Sequence, residues 1–239
     1  MPATPREGRS VPQAPSPAPS ARAPHAPSAQ TPAQDHYFTG TPEGPLLRKT
    51  LTVELAGRTV TVTTASGIFS PGGVDKGTQV LLKNAPWGPL IRPDETVLDI
   101  GCGWGPITLT AGLHTPEARL VAVDVNERSL TLARENASAL GLALTAGLPE
   151  EIDPDLRFER IYSNPPIRVG KAVLHDILRT WLPRLAPGGM AWLVVQKNLG
   201  SDSLQAWMEA EFAGELAIRR HSTDKGFRIL TAERTTTGG

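Results

Sequence analysis

The sequence predicts an α/β fold: a largely parallel β-sheet wrapped by helices on both faces, with an N-terminal β-hairpin added to it. Three observations carry this. Strand-like and helix-like segments alternate from Thr96 onward, three alternate glycines join the first of those strands to a helix, and GGMAWLVVQ reads as a fully apolar central strand. In such sheets ligands bind outside the carboxyl ends of the strands, so residues that carry chemistry are expected just after strands.

In chain order, Met1 to Gln34 is almost all Pro, Ala, Ser, Thr, Gln and Arg, with Val11 the only large aliphatic after the initiator. So little apolar content cannot offset the entropy of ordering, and a disordered extension over 1–34 is expected, followed by one domain over 35–239. The stretch has scattered arginines but no apolar core, and prolines interrupt any helix, so it reads as neither signal nor transit peptide and a cytoplasmic protein is expected. KTLTVELAGRTVTVTT holds two alternating segments around Ala56 and Gly57, the pattern of a hairpin.

TVLDIGCGWGPITLTAG runs from a buried strand, Thr96 to Ile100, through the glycines into a helix whose first position suits Pro106. RLVAVDVNERSLTLARENASALG repeats the unit, a strand ending at Asp124 and an amphipathic helix closed by Gly141. ALTA and FERIYSN read as strands, KAVLHDILRTWLPRL as a helix and GGMAWLVVQ as a strand. A helix follows near Ser203 to Phe212, and ELAIRRH and GFRILTAE close the sheet.

The 239 residues carry 24 Lys and Arg against 24 Asp and Glu, so any basic face toward a polyanion must be local. Arg219, Arg220, Lys225 and Arg228 cluster, but Glu215 and Asp224 lie among them and make a mixed-charge edge. One cysteine, Cys102, excludes an internal disulfide and a cysteine-based zinc cluster. No apolar run reaches the about 18 residues of a membrane span.

DIGCGWG follows a strand and precedes a helix, and Asp124 ends the next strand, the context a nucleotide-like ligand requires. Gly101 and Gly103 let the backbone approach a ligand, and the Asp124 carboxylate can accept from two ribose hydroxyls. A dinucleotide fingerprint would place glycine at position 106, which is Pro106, the third glycine being Gly105. Asp99 directs acid toward the loop, which opposes a pyrophosphate and suits an ammonium or sulfonium. S-adenosyl-L-methionine therefore fits better than NAD. The structural alternatives are a local cap or pair for Asp99 and an N-cap for Asp124. Cys102 reads as a small packed residue of the loop, without a histidine nearby in sequence to activate it.

In YSNPPIRVGK both Asn164 and Pro165 precede a proline and are biased toward extended backbone, and neither proline has an N–H. The turn offers acceptors with few competing donors. The Asn164 side chain and the Pro165 carbonyl can each take one hydrogen of a planar NH₂ group, favouring the pyramidal nitrogen that forms as it attacks a methyl group. No strong base is required, because the proton becomes acidic once the methyl is attached. By itself the motif also fits an ordinary turn.

From Asp35 to Arg234 the sequence resembles the class I S-adenosylmethionine-dependent methyltransferases, and within them the bacterial 16S ribosomal RNA guanine-N2 methyltransferases and their small single-domain relatives. DHYF, SGIFSPGGVDKGTQVLL, VLDIGCGWGP, AVDVNERSLTLARENA, SNPPIRVGK and VVQKNLGS carry the likeness in content and order. The resemblance implies a Rossmann-like sheet of seven strands, six parallel and one antiparallel. It implies cofactor contacts from Asp99, Gly101, Cys102, Gly103, Gly105, Asp124, Val125, Gly147, Leu148 and Asn164, with Asn164 and Pro165 as the catalytic pair. Ser66 to Thr78 would fold against the methionine end of the cofactor, with Asp75 or Thr78 also capping the helix through Leu82.

Substrate contacts are implied for Pro166, Ile167, Arg168 and Lys171. Two positions depart from the family pattern. TAGLPEE offers Gly147 and Leu148 where an acidic or polar residue commonly meets the adenine, so a backbone and apolar contact is expected. Ile167 stands where an aromatic ring often stacks on the base, a contact worth about 1–3 kcal/mol. Arg168 and Lys171 are expected to compensate by binding phosphate or covering the base, although Lys171 equally suits the start of a helix. His175 reads as a helix-surface or core residue, and Trp181, Trp192 and Trp207 as core.

The expected activity is methyl transfer to guanine N2 of small-subunit ribosomal RNA by a monomer, with no membrane partner. Alternatives are an amine of adenine or cytosine, a protein glutamine amide, or a catalytically weak S-adenosylmethionine-binding module that docks on RNA.

Overall fold

Residues 45–235 are described in the computed structural model; the expected tail over 1–34, the domain boundary at 35 and DHYF lie outside them. The two alternating segments form strands β1 (Arg48–Leu55) and β2 (Arg58–Ala65), paired antiparallel from Leu55 opposite Arg58 to Arg48 opposite Ala65. Ala56 and Gly57 both take positive φ, 51° and 69°, and a turn of that hand matches the twist of its strands.

Helix α1 (Lys76–Asn84) comes next, then β3 (Thr96–Ile100), α2 (Pro106–His114), β4 (Arg119–Val123), α3 (Glu127–Ala139), β5 (Leu144–Gly147) and β6 (Phe158–Ser163). The chain continues through α4 (Lys171–Trp181), β7 (Leu185–Gln196), α5 (Ser201–Glu211), β8 (Leu216–Asp224) and β9 (Phe227–Arg234). The last seven strands form one sheet in the order β5-β4-β3-β6-β7-β9-β8, in which only β9 runs antiparallel to its neighbours. This is the sheet the resemblance implies. One boundary differs from expectation. Helix α4 stops at Trp181 because Pro183 has no N–H to extend it, and β7 starts at Leu185, ahead of the glycines.

Alternation along each strand assigns the two layers. Val97, Leu120, Trp192 and Ile229 face one core with the hairpin, α1 and α2, whereas Leu98, Val121, Leu193 and Leu230 face the other with α4 and α5. Asn136 of α3 fastens the hairpin: its Oδ1 accepts the Thr63 N–H at 2.7 Å, and its Nδ2 donates to the Thr63 and Trp104 carbonyls at 3.0 and 2.9 Å.

The strand order reverses direction between β3 and β6, which pair with Ile100 opposite Ser163. The next residues along these strands are Gly101 and Asn164. The two motifs that are far apart in sequence therefore emerge side by side at the switch point of the sheet, where the chain leaves in opposite directions and a crevice opens. No helix among the described residues is long and apolar enough to cross a membrane.

Candidate active site

The glycine loop begins where Gly101 and Cys102 both donate backbone N–H groups to the Val123 carbonyl, at 2.8 and 3.0 Å. Gly101, Gly103 and Gly105 have φ of 73°, 55° and 96°, the left-handed region that glycine enters at no steric cost. A Cβ on Gly101 would meet nothing within 4 Å and one on Gly103 only the Phe69 carbonyl at 4.0 Å, so the space above the loop is open. A Cβ on Gly105 would lie 3.5 Å from Ala133 and Leu109, an ordinary contact, so its φ of 96° and not crowding is what calls for glycine there.

Asp124 accepts from Gly103 N–H through Oδ2 and from Asn126 N–H through Oδ1, both at 2.9 Å. The cap of α3 is Asn126, which accepts from Arg128 N–H at 3.0 Å. Asp124 is thereby released from capping and held at the rim of the loop with lone pairs to spare. Burial raises its pKa against the N–H bonds from Asn126, Gly103 and Val125. Beside it Val125 is 44% exposed, an apolar surface at a strand end.

Asp99 lies deeper than expected, whereas Cys102 is the packed loop residue expected. Asp99 is fully buried, and its Oδ2 accepts from the backbone N–H and the hydroxyl of Thr108, at 3.1 and 2.7 Å, bracing α2 from below the loop. Its Oδ1 has no partner, and burial pushes the carboxyl up to about 7 against those Thr108 bonds. The Cys102 thiol is packed with Ala122, Leu130 and Ala133, and burial raises its pKa well above the ordinary value, so it is unsuited to be a nucleophile.

At the end of β5, Gly147 is buried and Leu148 half-buried. An acidic group is nevertheless brought close to these positions by Glu151. The short turn Pro149–Glu151 returns its carboxylate to accept the Leu148 N–H at 2.8 Å, 2.9 Å from where a Cβ on Gly147 would be. Sequence reading missed this because the residue sits three positions downstream and only the turn brings it back.

Asp75 caps α1, its Oδ2 accepting from Gly77 and Thr78 N–H groups at 2.8 and 3.4 Å. The same oxygen accepts from Asn164 Nδ2 at 2.9 Å, and Thr78 Oγ1 lies 3.1 Å from that nitrogen. A carboxylate only accepts, so the Asn164 amide can turn only its NH₂ toward Asp75. That leaves Oδ1 as the acceptor of the amide, 3.2 Å from where a Cβ on Gly77 would be. Ile167 N–H donates to the Pro165 carbonyl at 2.8 Å, closing a tight turn at Pro166 (φ −75°, ψ 75°). One lone pair of the expected Pro165 acceptor is thereby engaged, leaving the other.

Pro166 and Ile167 are half-buried beside the turn, and Arg168 and Lys171 are exposed beyond it, Lys171 as the first residue of α4. A narrow cleft joins the glycine loop to Asn164, bordered by Phe69, Asp75 and Thr78. A larger hollow between the hairpin turn, α1 and α2 holds none of the expected site residues.

His175 stacks on Trp207 with ring centroids 3.6 Å apart, and burial lowers its pKa, which fits a surface stack and not a proton carrier. Trp181 and Trp192 are core residues. Trp207 departs from expectation in being half-buried, with His175 and Arg179 against its ring. The C-terminal basic cluster is a mixed-charge edge, Arg220 and Arg228 pairing with Asp202 and Lys83 with Asp224.

Known proteins align with this architecture. The uncharacterized protein YbxB of Bacillus subtilis (strain 168) is 30% identical over 204 residues, covering 84% of this chain and 98% of that protein. The ribosomal RNA small subunit methyltransferase C of Hahella chejuensis (strain KCTC 2396) is 32% identical over 179 residues, 72% of this chain but 50% of that enzyme, so this chain spans about half of it. The solved T. Thermophilus 16S rRNA N2 G1207 methyltransferase (RsmC), in complex with AdoMet and guanosine, superposes with a TM-score of 0.68 at 26% identity, over 80% of this chain and 51% of that one. The family described as methyltransferase small domain matches residues 59–231, from the hairpin through β9, and the chain belongs to that family.

Proposed function

We propose that this chain is an S-adenosylmethionine-dependent methyltransferase whose acceptor is an exocyclic amine, guanine N2 of small-subunit ribosomal RNA. The observation that carries the reading is the fixed Asn164 amide, clamped by Asp75 and Thr78 so that its oxygen is presented at a cleft shared with the glycine loop. Relatives named for ribosomal RNA methylation, one of them solved with guanosine, support the acceptor class.

The residues fit the methyl donor. Above Gly101 and Gly103 there is open space, and Asp124 retains acceptor capacity for ribose hydroxyls. Val125, Leu148 and Glu151 would border the adenine. When bound, S-adenosylmethionine supplies a methyl group made electrophilic by its sulfonium.

Asn164 Oδ1 and the free lone pair of the Pro165 carbonyl accept the two amine hydrogens and localise the nitrogen lone pair. These bonds strengthen as the nitrogen becomes cationic, which is the differential stabilisation that lowers a barrier. The proton leaves to water afterwards. Arg168 and Lys171, exposed beyond the turn, contact the phosphates of the RNA, and the compartment is the cytoplasm, where ribosomes assemble.

Transfer of tritium from labelled cofactor into purified small-subunit RNA and into assembled particles, followed by nucleoside mass spectrometry, tests this reading. Label at guanine N2 supports it. Cofactor binding without transfer to either substrate would instead favour a binding module.

A further inference from the structure

The acceptor base needs a wall to pack against, and Ile167 provides no ring. A ring arrives from another element. Strand β9 runs antiparallel, so its first residue lies at the edge where the parallel strands end: Phe227 pairs with Gln196, the last residue of β7. The turn before it is fixed by Lys225 and Gly226 at φ 47° and 81° and by the Lys197 N–H, which donates to the Gly226 carbonyl at 2.8 Å. Phe227 is half-buried, whereas Arg228 to Ala232 behind it are buried.

The ring reaches α1 beside Gly77. A Cβ added to Gly77 would lie 3.0 Å from Phe227 Cε1, 3.0 Å from Asp75 Oδ2 and 3.2 Å from Asn164 Oδ1. The amine-accepting oxygen, its carboxylate clamp and the aromatic edge therefore pack together around Gly77, too closely to admit a Cβ without a shift.

We propose that Phe227 is the base-stacking wall of the acceptor pocket, replacing the ring absent at Ile167, and that Gly77 is required for the ring and Asn164 to meet. The ligand class is a planar nucleobase carrying an amine. This rests on the amine-methylation reading above. A stacking wall differs from a core residue in what its loss changes: base binding and KM for RNA, with fold and cofactor affinity preserved.

The test compares wild type, Phe227→Leu, Phe227→Tyr and Gly77→Ala. Quenching of 2-aminopurine riboside fluorescence reads base stacking directly, calorimetry reads cofactor affinity, and steady-state methylation of small-subunit RNA reads KM and kcat. Wild type quenches the probe. Phe227→Leu should abolish quenching and raise KM about ten- to hundredfold, the span expected for one base–aromatic stack. Phe227→Tyr, which keeps the ring, should restore both. Gly77→Ala should lower kcat by displacing Asn164. If Phe227→Leu does not melt cooperatively, Phe227→Met fills a similar volume without a ring and takes its place. Active wild type with unchanged quenching and KM in the ringless variant overturns the role of Phe227 alone. Inactive wild type that binds cofactor and quenches no probe overturns the amine-methylation reading beneath it.

Discussion

Asn164 shows how much one amide can be asked to do when its orientation is fixed. Its NH₂ is spent on Asp75 and Thr78, which fixes the side chain and leaves its oxygen as the amide's acceptor. Asn164→Ala should therefore slow single-turnover methyl transfer about a hundredfold, as for the loss of one preorganised polar group, while cofactor affinity scarcely moves. Equal rates at saturating cofactor would reduce the turn to a backbone feature. Asp99 makes a different prediction. Its folded-state pKa stands at about 7 against 3.8, mainly through burial, so the native state binds a proton more tightly than the unfolded state does. Stability then falls as pH rises from about 4 to about 7. Denaturant titrations at pH 5 and 7.5 should show Asp99→Asn losing part of that decline; an unaltered slope would show that Asp99 is not its source.

Elements here are joined by single buried side chains as much as by broad surfaces. The two-stranded hairpin cannot be stable alone, and Asn136 attaches it to α3 and to the Trp104 carbonyl of the glycine loop with three hydrogen bonds. Arg48 adds an exposed ion pair to Glu135 at 2.6 Å, of the kind worth at most about 1 kcal/mol. Asn136→Ala leaves Thr63 and Trp104 groups without partners, each costing about 1–3 kcal/mol where buried, whereas Arg48→Ala should change little. Thermal melts of the two variants distinguish these: comparable losses would mean that apolar packing, not Asn136, holds the hairpin. The same logic explains α1, whose cap Asp75 is also the clamp of Asn164, so a helix terminus and a candidate catalytic turn share one carboxylate oxygen.

Across the whole molecule, the sheet separates two cores, and every expected site residue lies at one edge of it. Residues 1–34, rich in Pro, Ala and Ser, carry Val11 as their only large aliphatic after the initiator, too little to build a core on. A chain starting at Asp35 should melt cooperatively at the full-length temperature; loss of the cooperative transition in calorimetry would assign the N-terminal stretch a structural role. Because the charges balance at 24 and 24, binding of RNA should depend on the few cations near the turn. Arg168→Ala should raise KM for RNA and flatten its salt dependence without changing kcat.

Period-two and period-3.6 patterns, Pro106 at a helix start and Gly141 at a helix end were enough to place the strands and helices, because these signals act through local backbone sterics and burial. The glycine loop, Asp124 and the Asn-Pro-Pro turn were legible for the same reason: each is a contiguous stretch at a strand end. What required the tertiary structure was proximity without sequence continuity. Asp75 reaches Asn164, Glu151 returns to Leu148, and Phe227 meets Gly77 only because strand order and an antiparallel β9 bring distant segments to one edge. The depth of Asp99 was decided there too, since burial is a property of the assembled layers and no residue's neighbours along the chain specify it.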